Sequence, residues 1–74
     1  MHNAFQNQEI LCEISRRLSR NGYNDLDQIT GYLITGDPTY ITNKDGARKL
    51  VLGLDRDLLL AEIVECYFAR YGVQ

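Results

Sequence analysis

Apolar residues recur every three or four positions along most of the chain, which is the spacing of an amphipathic α-helix. Four stretches show this spacing, at about residues 8–20, 25–35, 45–53 and 56–71. In the first of them, charged residues occupy the face opposite the apolar one. The pattern predicts an all-α fold, a compact bundle of about four to five short helices.

Short polar side chains stand where three of these helices are expected to begin. Asn24 or Asp25 can cap the second helix, because a side-chain oxygen accepts the unpaired amides of a first helical turn. In the same way, Asn43 or Asp45 can open the short third helix, and Asp55 can cap the fourth. Glycines follow the helices, where a chain often leaves through left-handed backbone.

The apolar face of the fourth predicted helix is too wide for a single packing partner. Its large side chains cover an arc of roughly 180°, whereas a helix that faces one core needs about 100°. We expect the second partner to be the same helix of another copy, because isologous dimers are the commonest oligomers. A homodimer is therefore predicted, with Ile63, Tyr67 and Tyr71 as candidate interface residues.

A glycine inside the second predicted helix indicates a close backbone approach. Gly31 makes the helix about 1 kcal/mol less stable than alanine would, so glycine here usually marks a tight contact. That contact is either packing within the chain or a subunit interface, and the pattern leaves both open. Gly31 and Tyr32 lie opposite the predicted inner face of Leu26, Ile29 and Leu33, and are further candidates for the dimer interface.

The chain has 74 residues, of which 45% are hydrophobic and 24% charged, as in one globular domain. Residues 1–7 are expected to form a short flexible N-terminus, and residues 8–72 a single helical domain. A core this small rarely supplies more than about 3–5 kcal/mol without a disulfide, a metal or a partner chain. Two cysteines, Cys12 and Cys66, do not make the framework of a secreted mini-domain, so oligomerisation is favoured.

The sequence also bears on where the protein is found. Its first ten residues, MHNAFQNQEI, have no basic segment followed by an apolar one, so no signal peptide is expected. No window approaches 18 consecutive apolar residues, which argues against membrane insertion. We therefore expect a cytoplasmic protein with two reduced thiols.

The residue types that catalytic and metal sites need are scarce. His2 is the only histidine and stands at the terminus, so neither a zinc-binding spacing nor a Cys–His or Ser–His pair is expected. Two carboxylate pairs, Asp25 with Asp27 and Asp55 with Asp57, stand at predicted helix starts, where the helix dipole favours negative charge. The sequence predicts no enzymatic activity, no metal and no cofactor.

The net charge of −2 argues against a nucleic-acid partner, because such proteins usually carry a basic patch. Two helices separated by Asn21-Gly22 would suit a helix-turn-helix, and a small helical DNA-binding regulator is the alternative function. The second helix, however, has no Lys or Arg between residues 25 and 35 with which to reach bases and phosphates.

A series of short motifs stands in order between residues 22 and 68, a span of 47 of the 74 residues. They are Gly22-Tyr23-Asn24, Gln28-Ile29, Gly31-Tyr32, Gly36-Asp37-Pro38 with Tyr40-Ile41, Ala47-Arg48, and Asp55-Arg56-Asp57. Together they closely resemble the IreB family of small regulatory phosphoproteins from Gram-positive bacteria.

This resemblance implies a compact helical homodimer without enzymatic activity. It further implies a role below a transmembrane Ser/Thr kinase that senses cell-wall stress. Members influence peptidoglycan synthesis and resistance to cell-wall antibiotics by controlling Clp-dependent proteolysis of a precursor-synthesis enzyme. The expected partners are therefore a second copy, the kinase, and the proteolysis machinery or its substrate.

The retained motifs suggest a contact surface for such a partner. Its candidate residues are Asp37, Pro38, Tyr40 and Arg48, with the loop at residues 36–42. Each also has a structural interpretation. Asp37-Pro38 can be a loop corner, Tyr40 a core anchor, and Arg48 a partner of Asp45 or of a helix end. An exposed arginine can equally anchor another protein.

The phosphoacceptor is where the chain departs from the family. Members usually carry an acceptor threonine in a longer N-terminal tail, whereas here no threonine precedes Thr30. Ser15 and Ser19 are the candidate acceptors, and Ser19 ends an R-R-x-S pattern of basophilic kinases. The alternative for Ser19 is an ordinary surface serine.

Overall fold

The computed structural model describes residues 4–72, and these residues are almost entirely helical. Helices α1 (Ala4–Arg20) and α2 (Asp25–Thr35) are followed by the short α3 (Ala47–Leu50) and the long α4 (Arg56–Tyr71). Single 3-10 turns lie between and around them, at Pro38–Tyr40, Lys44–Gly46 and Val51–Gly53. No strand occurs in the described part of the chain, so the predicted all-α fold is confirmed.

Helix α1 lies at the centre of the molecule and packs against each of the other three helices. Its residues Ile14 and Leu18 are completely buried. A fully buried aliphatic side chain stabilises a fold by about 1.5–3 kcal/mol, so this helix anchors the core. The remaining buried apolar residues are Tyr32, Ile41, Ala47, Val51, Leu54 and Leu59.

The start of α1 differs from the prediction. The sequence indicates a helix from about residue 8, yet α1 begins at Ala4 and includes residues assigned to a flexible N-terminus. The reason is Asn7, which is completely buried. Its side-chain nitrogen donates to the carbonyl of Asp55 at 3.1 Å, and its oxygen accepts from the Asp55 amide at 2.9 Å. Residues 1–3 of the predicted flexible segment lie outside the described part.

Two of the predicted helix caps are confirmed. The side chain of Asn24 accepts a hydrogen bond from the amide of Asp27 at 3.1 Å, in the first turn of α2. The side chain of Asp55 accepts one from the amide of Leu58 at 3.2 Å, in the first turn of α4. Both helices therefore begin where the sequence places them.

The helical run at residues 44–53 begins after Asn43, as predicted, but Asn43 makes no capping hydrogen bond with its side chain. Neither Asn43 nor Asp45 caps this helix with its side chain, and the residue before it is Gly46 in the left-handed conformation. Asp45 itself has a φ of 57°, and its carboxylate accepts hydrogen bonds from Arg20 and Asn21. The carboxylate therefore joins the loop before α3 to the end of α1.

The loop after α2 begins at a glycine that the backbone requires. Gly36 has a φ of 72°, and its amide donates to the carbonyl of Tyr32 at 2.7 Å. The Arg56 side chain crosses close to this glycine and donates to the carbonyl of Leu33 at 2.9 Å. The first residue of α4 thereby satisfies a carbonyl that the end of α2 leaves unpaired.

Candidate protein-interaction surfaces

The outer half of α4, residues 63–71, extends beyond the core of the chain. Every residue from 63 to 72 is exposed, whereas Leu59 one turn earlier is buried. The exposed large apolar side chains are Ile63, Val64, Tyr67, Phe68 and Tyr71. Tyr67, for example, keeps 59% of its surface accessible. A contiguous apolar surface of this kind is uncommon on a lone chain and marks an interaction site.

Three side chains near the end of α4 already contact one another. The rings of Tyr67 and Tyr71 lie with their centroids 4.7 Å apart and are tilted by 45°. The guanidinium carbon of Arg70 is 5.7 Å from the centroid of the Tyr71 ring. These contacts restrict both rings before a partner arrives, which lowers the entropy lost on binding.

An open groove continues this apolar face onto α1. It has a volume of about 470 Å³ and lies between the first turns of α1 and the middle of α4. Its lining residues include Phe5, Leu11, Ile63 and Cys66. Phe5 is 67% exposed, and sequence reasoning missed it because the helix was expected to start after it.

Two of the five predicted dimer-interface residues lie elsewhere. Tyr32 is only 6% exposed and belongs to the core of the single chain, so it is not available to a second copy. Gly31 lies under the ring of Tyr40, where a β-carbon would come within 2.7 Å of the ring atom Cδ1. The close approach at Gly31 is therefore packing within the chain, one of the two possibilities left open. Ile63, Tyr67 and Tyr71 do lie together on α4.

The orientation of α2 explains this correction. Because Tyr32 faces the core, Leu26 turns outward and is 72% exposed, although the sequence assigned it to the inner face. Ile29 and Leu33 do pack against the core, as predicted. Helix α2 is apolar on more than one side, so periodicity alone does not fix which side is buried.

The structure brings together the four predicted partner-contact residues in one region around the Pro38–Tyr40 turn. Asp37 caps this turn, accepting hydrogen bonds from the Thr39 amide at 3.0 Å and the Thr39 hydroxyl at 2.8 Å. These hydrogen bonds hold the pKa of Asp37 below its ordinary value. Pro38 opens the turn, and Tyr40 remains 52% exposed while its ring covers Gly31.

Arg48 fixes the end of the same loop. Its Nε atom donates to the carbonyl of Ile41 at 2.8 Å, and its charge also contributes to the low pKa of Asp37. It does not pair with Asp45, whose carboxylate is bound to Arg20 instead. Arg48 is half-buried, so its guanidinium both holds the loop and borders the exposed surface.

The two candidate phosphoacceptor serines lie on α1 beside the start of α2. The Ser15 hydroxyl is half-buried and donates a hydrogen bond to Asp25. That bond is the main reason why the pKa of Asp25 lies below its ordinary value. Ser19 is exposed in the last turn of α1. Both serines are thus held in regular helix.

Within residues 4–72 no cluster of three or more His, Cys, Asp or Glu side chains has the arrangement of a metal site. The described helices also include none that is long and apolar enough to cross a membrane. The outer half of α4 is distinguished instead by its exposed apolar and aromatic side chains.

Comparison with known protein families assigns most of the chain to one family model. The family model described as IreB regulatory phosphoprotein matches residues 1–69. The match spans α1, α2, α3 and nearly all of α4, so it includes both the Pro38–Tyr40 turn and most of the exposed α4 face.

Proposed function

Because the chain belongs to the IreB family of regulatory phosphoproteins, we propose that it is a non-enzymatic regulator that acts by binding other proteins. It works in the cytoplasm, in a pathway linked to a Ser/Thr kinase that controls cell-wall synthesis and antibiotic resistance. Its output is a change in Clp-dependent proteolysis of a precursor-synthesis enzyme. The family match and the resemblance of the loop motifs support this assignment.

The observation that carries the proposal is the exposed outer half of α4. Five large apolar side chains on a domain of 74 residues keep 41–61% of their surface accessible, and burial of the remainder would contribute about 1 kcal/mol for each. In the proposal this face joins two copies into a homodimer. The surface of Asp37, Pro38, Tyr40 and Arg48 then remains for the other partners.

Light scattering tests the homodimer. We expect about twice the 8.5 kDa chain mass for the wild type, and the single-chain mass for Tyr67→Glu. A carboxylate at this position would be buried without a partner in the dimer but stays hydrated in the monomer, so the variant keeps its helical circular dichroism. Ala69→Glu is the matched control, because it adds the same charge on the opposite side of α4.

A wild-type monomer at micromolar concentration would contradict the dimer, as would equal dissociation by both substitutions.

Sensitivity to a cell-wall antibiotic tests the pathway. Deletion of the gene is expected to change the inhibitory concentration, and wild-type protein or Ala69→Glu is expected to restore it. Tyr67→Glu should restore less, because the proposed assembly is lost. An inhibitory concentration that does not respond to deletion would overturn the proposed pathway.

A further inference from the structure

The hydroxyl groups of this chain form a small set that the structure can compare one by one. The sequence contains two serines and four threonines, which are Ser15, Ser19, Thr30, Thr35, Thr39 and Thr42. We compare these six as acceptors for a Ser/Thr kinase. The matched family is one of regulatory phosphoproteins, and all six hydroxyls stand between residues 15 and 42.

Three of the six hydroxyls lie inside helices and are poorly placed for a kinase. Protein kinases bind the substrate segment in an extended conformation, so Ser15, Ser19 and Thr30 would each require a helix to unwind. For Ser19 the cost is high, because the preceding Leu18 is completely buried in the core. The R-R-x-S pattern at this serine is therefore masked by the fold.

Two further threonines are tied to α2 or to the core. The hydroxyl of Thr35, the last residue of α2, donates to the carbonyl of Gly31 at 2.8 Å and accepts from the Asp37 amide at 3.1 Å. Thr42 is half-buried and directly follows the completely buried Ile41. Extension of the chain around either residue would disturb α2 or the core.

Thr39 is the hydroxyl that a kinase can reach with the least disruption. It is the exposed central residue of the three-residue Pro38–Tyr40 turn, outside the α-helices. Its immediate neighbours Pro38 and Tyr40 are not fully buried, and the completely buried Ile41 stands two residues further on. Opening this turn breaks the hydrogen bonds from Tyr40 to Asp37 and from Ile41 to Pro38, and the main helices stay intact.

A phosphate on Thr39 would change the turn itself. The Thr39 hydroxyl donates to Oδ1 of Asp37, and the Thr39 amide donates to the same oxygen. Phosphorylation removes that hydroxyl proton and adds about −1.5 to −2 units of charge beside the carboxylate. Repulsion would then break the cap, open the turn and release the ring of Tyr40 from its present contact with Gly31.

We propose that Thr39 is a phosphoacceptor and that its phosphate opens the Pro38–Tyr40 turn, changing the surface made by Asp37, Tyr40 and Arg48. This inference rests on the proposed function, because it needs a Ser/Thr kinase and ATP. In the transfer, Oγ1 of Thr39 bonds to the γ-phosphorus, whose bond to the β–γ bridging oxygen breaks. ADP leaves, and the hydroxyl proton is released.

Site mapping tests the acceptor. The full chain is incubated with ATP and the catalytic domain of the source organism's membrane Ser/Thr kinase, whose autophosphorylation shows that it is active. We expect mass spectrometry to place the phosphate on Thr39. Thr39→Val should lose it, and the matched control Thr35→Val should keep it. Phosphate on another residue, or none from an active kinase, would overturn the inference.

The structural step has its own test. Phosphoserine is incorporated at position 39 during translation, and hydrogen exchange is compared with a protein that carries phosphoserine at position 30. We expect faster exchange at the amides of Thr39, Tyr40 and Ile41 with the first protein alone. Unchanged exchange at these amides would overturn the opening of the turn.

The two proposals fail in different ways. If Thr39 is not phosphorylated, the mass measured by light scattering and the antibiotic phenotype of the gene deletion stay the same. An unchanged inhibitory concentration after deletion contradicts the proposed pathway, whichever residue carries phosphate.

Discussion

Gly31 and Tyr40 show how the absence of one methyl group positions a surface loop. The ring of Tyr40 rests on the backbone of α2 because Gly31 has no β-carbon to hold it away. The ring thus closes the loop that Asp37 and Arg48 fix at its two ends. The loss of about 1 kcal/mol of helix stability at Gly31 is offset by this contact.

A double-mutant cycle tests the contact between these two residues. In the wild type, Gly31→Ala should lower the free energy of unfolding, because the new β-carbon would lie 2.7 Å from Cδ1 of Tyr40. In a Tyr40→Ala background the same substitution should stabilise the protein by about 1 kcal/mol, the helix preference for alanine. Urea denaturation measures both, and equal effects in the two backgrounds would contradict the contact.

Residue type predicted hydrogen bonds between residues close together in the chain better than those between residues far apart in it. The sequence predicts Asp55 as one cap and Asn24 or Asp25 as another, because a cap acts on amides two or three residues away, and the structure shows Asn24 and Asp55 in these roles. Asn7 gave no comparable signal, since its partner Asp55 stands 48 positions later. A polar residue near a terminus is predicted to be exposed as long as its distant partner is unknown.

Among the elements, the Lys44–Gly46 turn depends most directly on charge. The Asp45 carboxylate accepts hydrogen bonds from Arg20 and Asn21, and the carbonyl of Asp45 accepts one from Arg17 at 3.0 Å. The side-chain hydrogen bonds hold the pKa of Asp45 below its ordinary value of 3.8. The end of α1 and this turn are therefore joined while the carboxylate is ionised.

Low pH should release the Lys44–Gly46 turn from the end of α1. A carboxyl whose pKa is lower in the folded state adds stability above its unfolded pKa, and the stability is lost as pH falls through the folded pKa. We expect the amide NMR signals of residues 43–47 to titrate with a midpoint below 3.8. Asp45→Asn should remove this transition. A midpoint at or above 3.8 would contradict the pairing with Arg20.

The helices themselves were predictable, but the rotation of α2 was not. Amphipathic spacing located α1, α2 and α4, because each has a face of regularly spaced apolar residues. Helix α2 carries apolar residues on two sides, and the core selected the side with Tyr32. That choice depends on the shape of the space between α1 and the Pro38–Tyr40 turn, which the sequence does not display.

At the scale of the whole molecule, the outer half of α4 makes the chain longer than its size requires. A compact domain of 74 residues has a radius of gyration of about 11 Å. The observed value is 12.5 Å, and the molecule measures 39 × 27 × 20 Å. The apolar arc on α4 predicted a surface without a partner in the chain, and the structure shows those side chains exposed. The homodimer itself stays a prediction.

The candidate contact surface was only partly visible in the sequence. Asp37, Pro38 and Tyr40 are neighbours in the chain, so their proximity followed from the motif. Arg48 joins them through a hydrogen bond to Ile41, which depends on how α3 packs against the loop. The roles of these residues toward a partner stay proposals.

The buried amide of Asn7 also bears on how fast the protein folds and unfolds. Its hydrogen bonds to Asp55 close a loop of 48 residues that contains α2, α3 and all three short turns. Contacts this distant form after local ones, because the entropy of closing the loop must be lost first. We therefore expect this contact to form late, after the transition state.

The kinetics of Asn7→Ala test this order of events. The substitution leaves the amide of Asp55 without its partner, which costs about 1–3 kcal/mol, while the carbonyl of Asp55 keeps the hydrogen bond from the Leu59 amide. Stopped-flow measurements should show that nearly all of this cost accelerates unfolding, while the folding rate stays close to that of the wild type. A slower folding rate would instead place the contact in the transition state. We thus expect the lifetime of the folded chain to depend on Asn7, a residue that its sequence context gives no reason to notice.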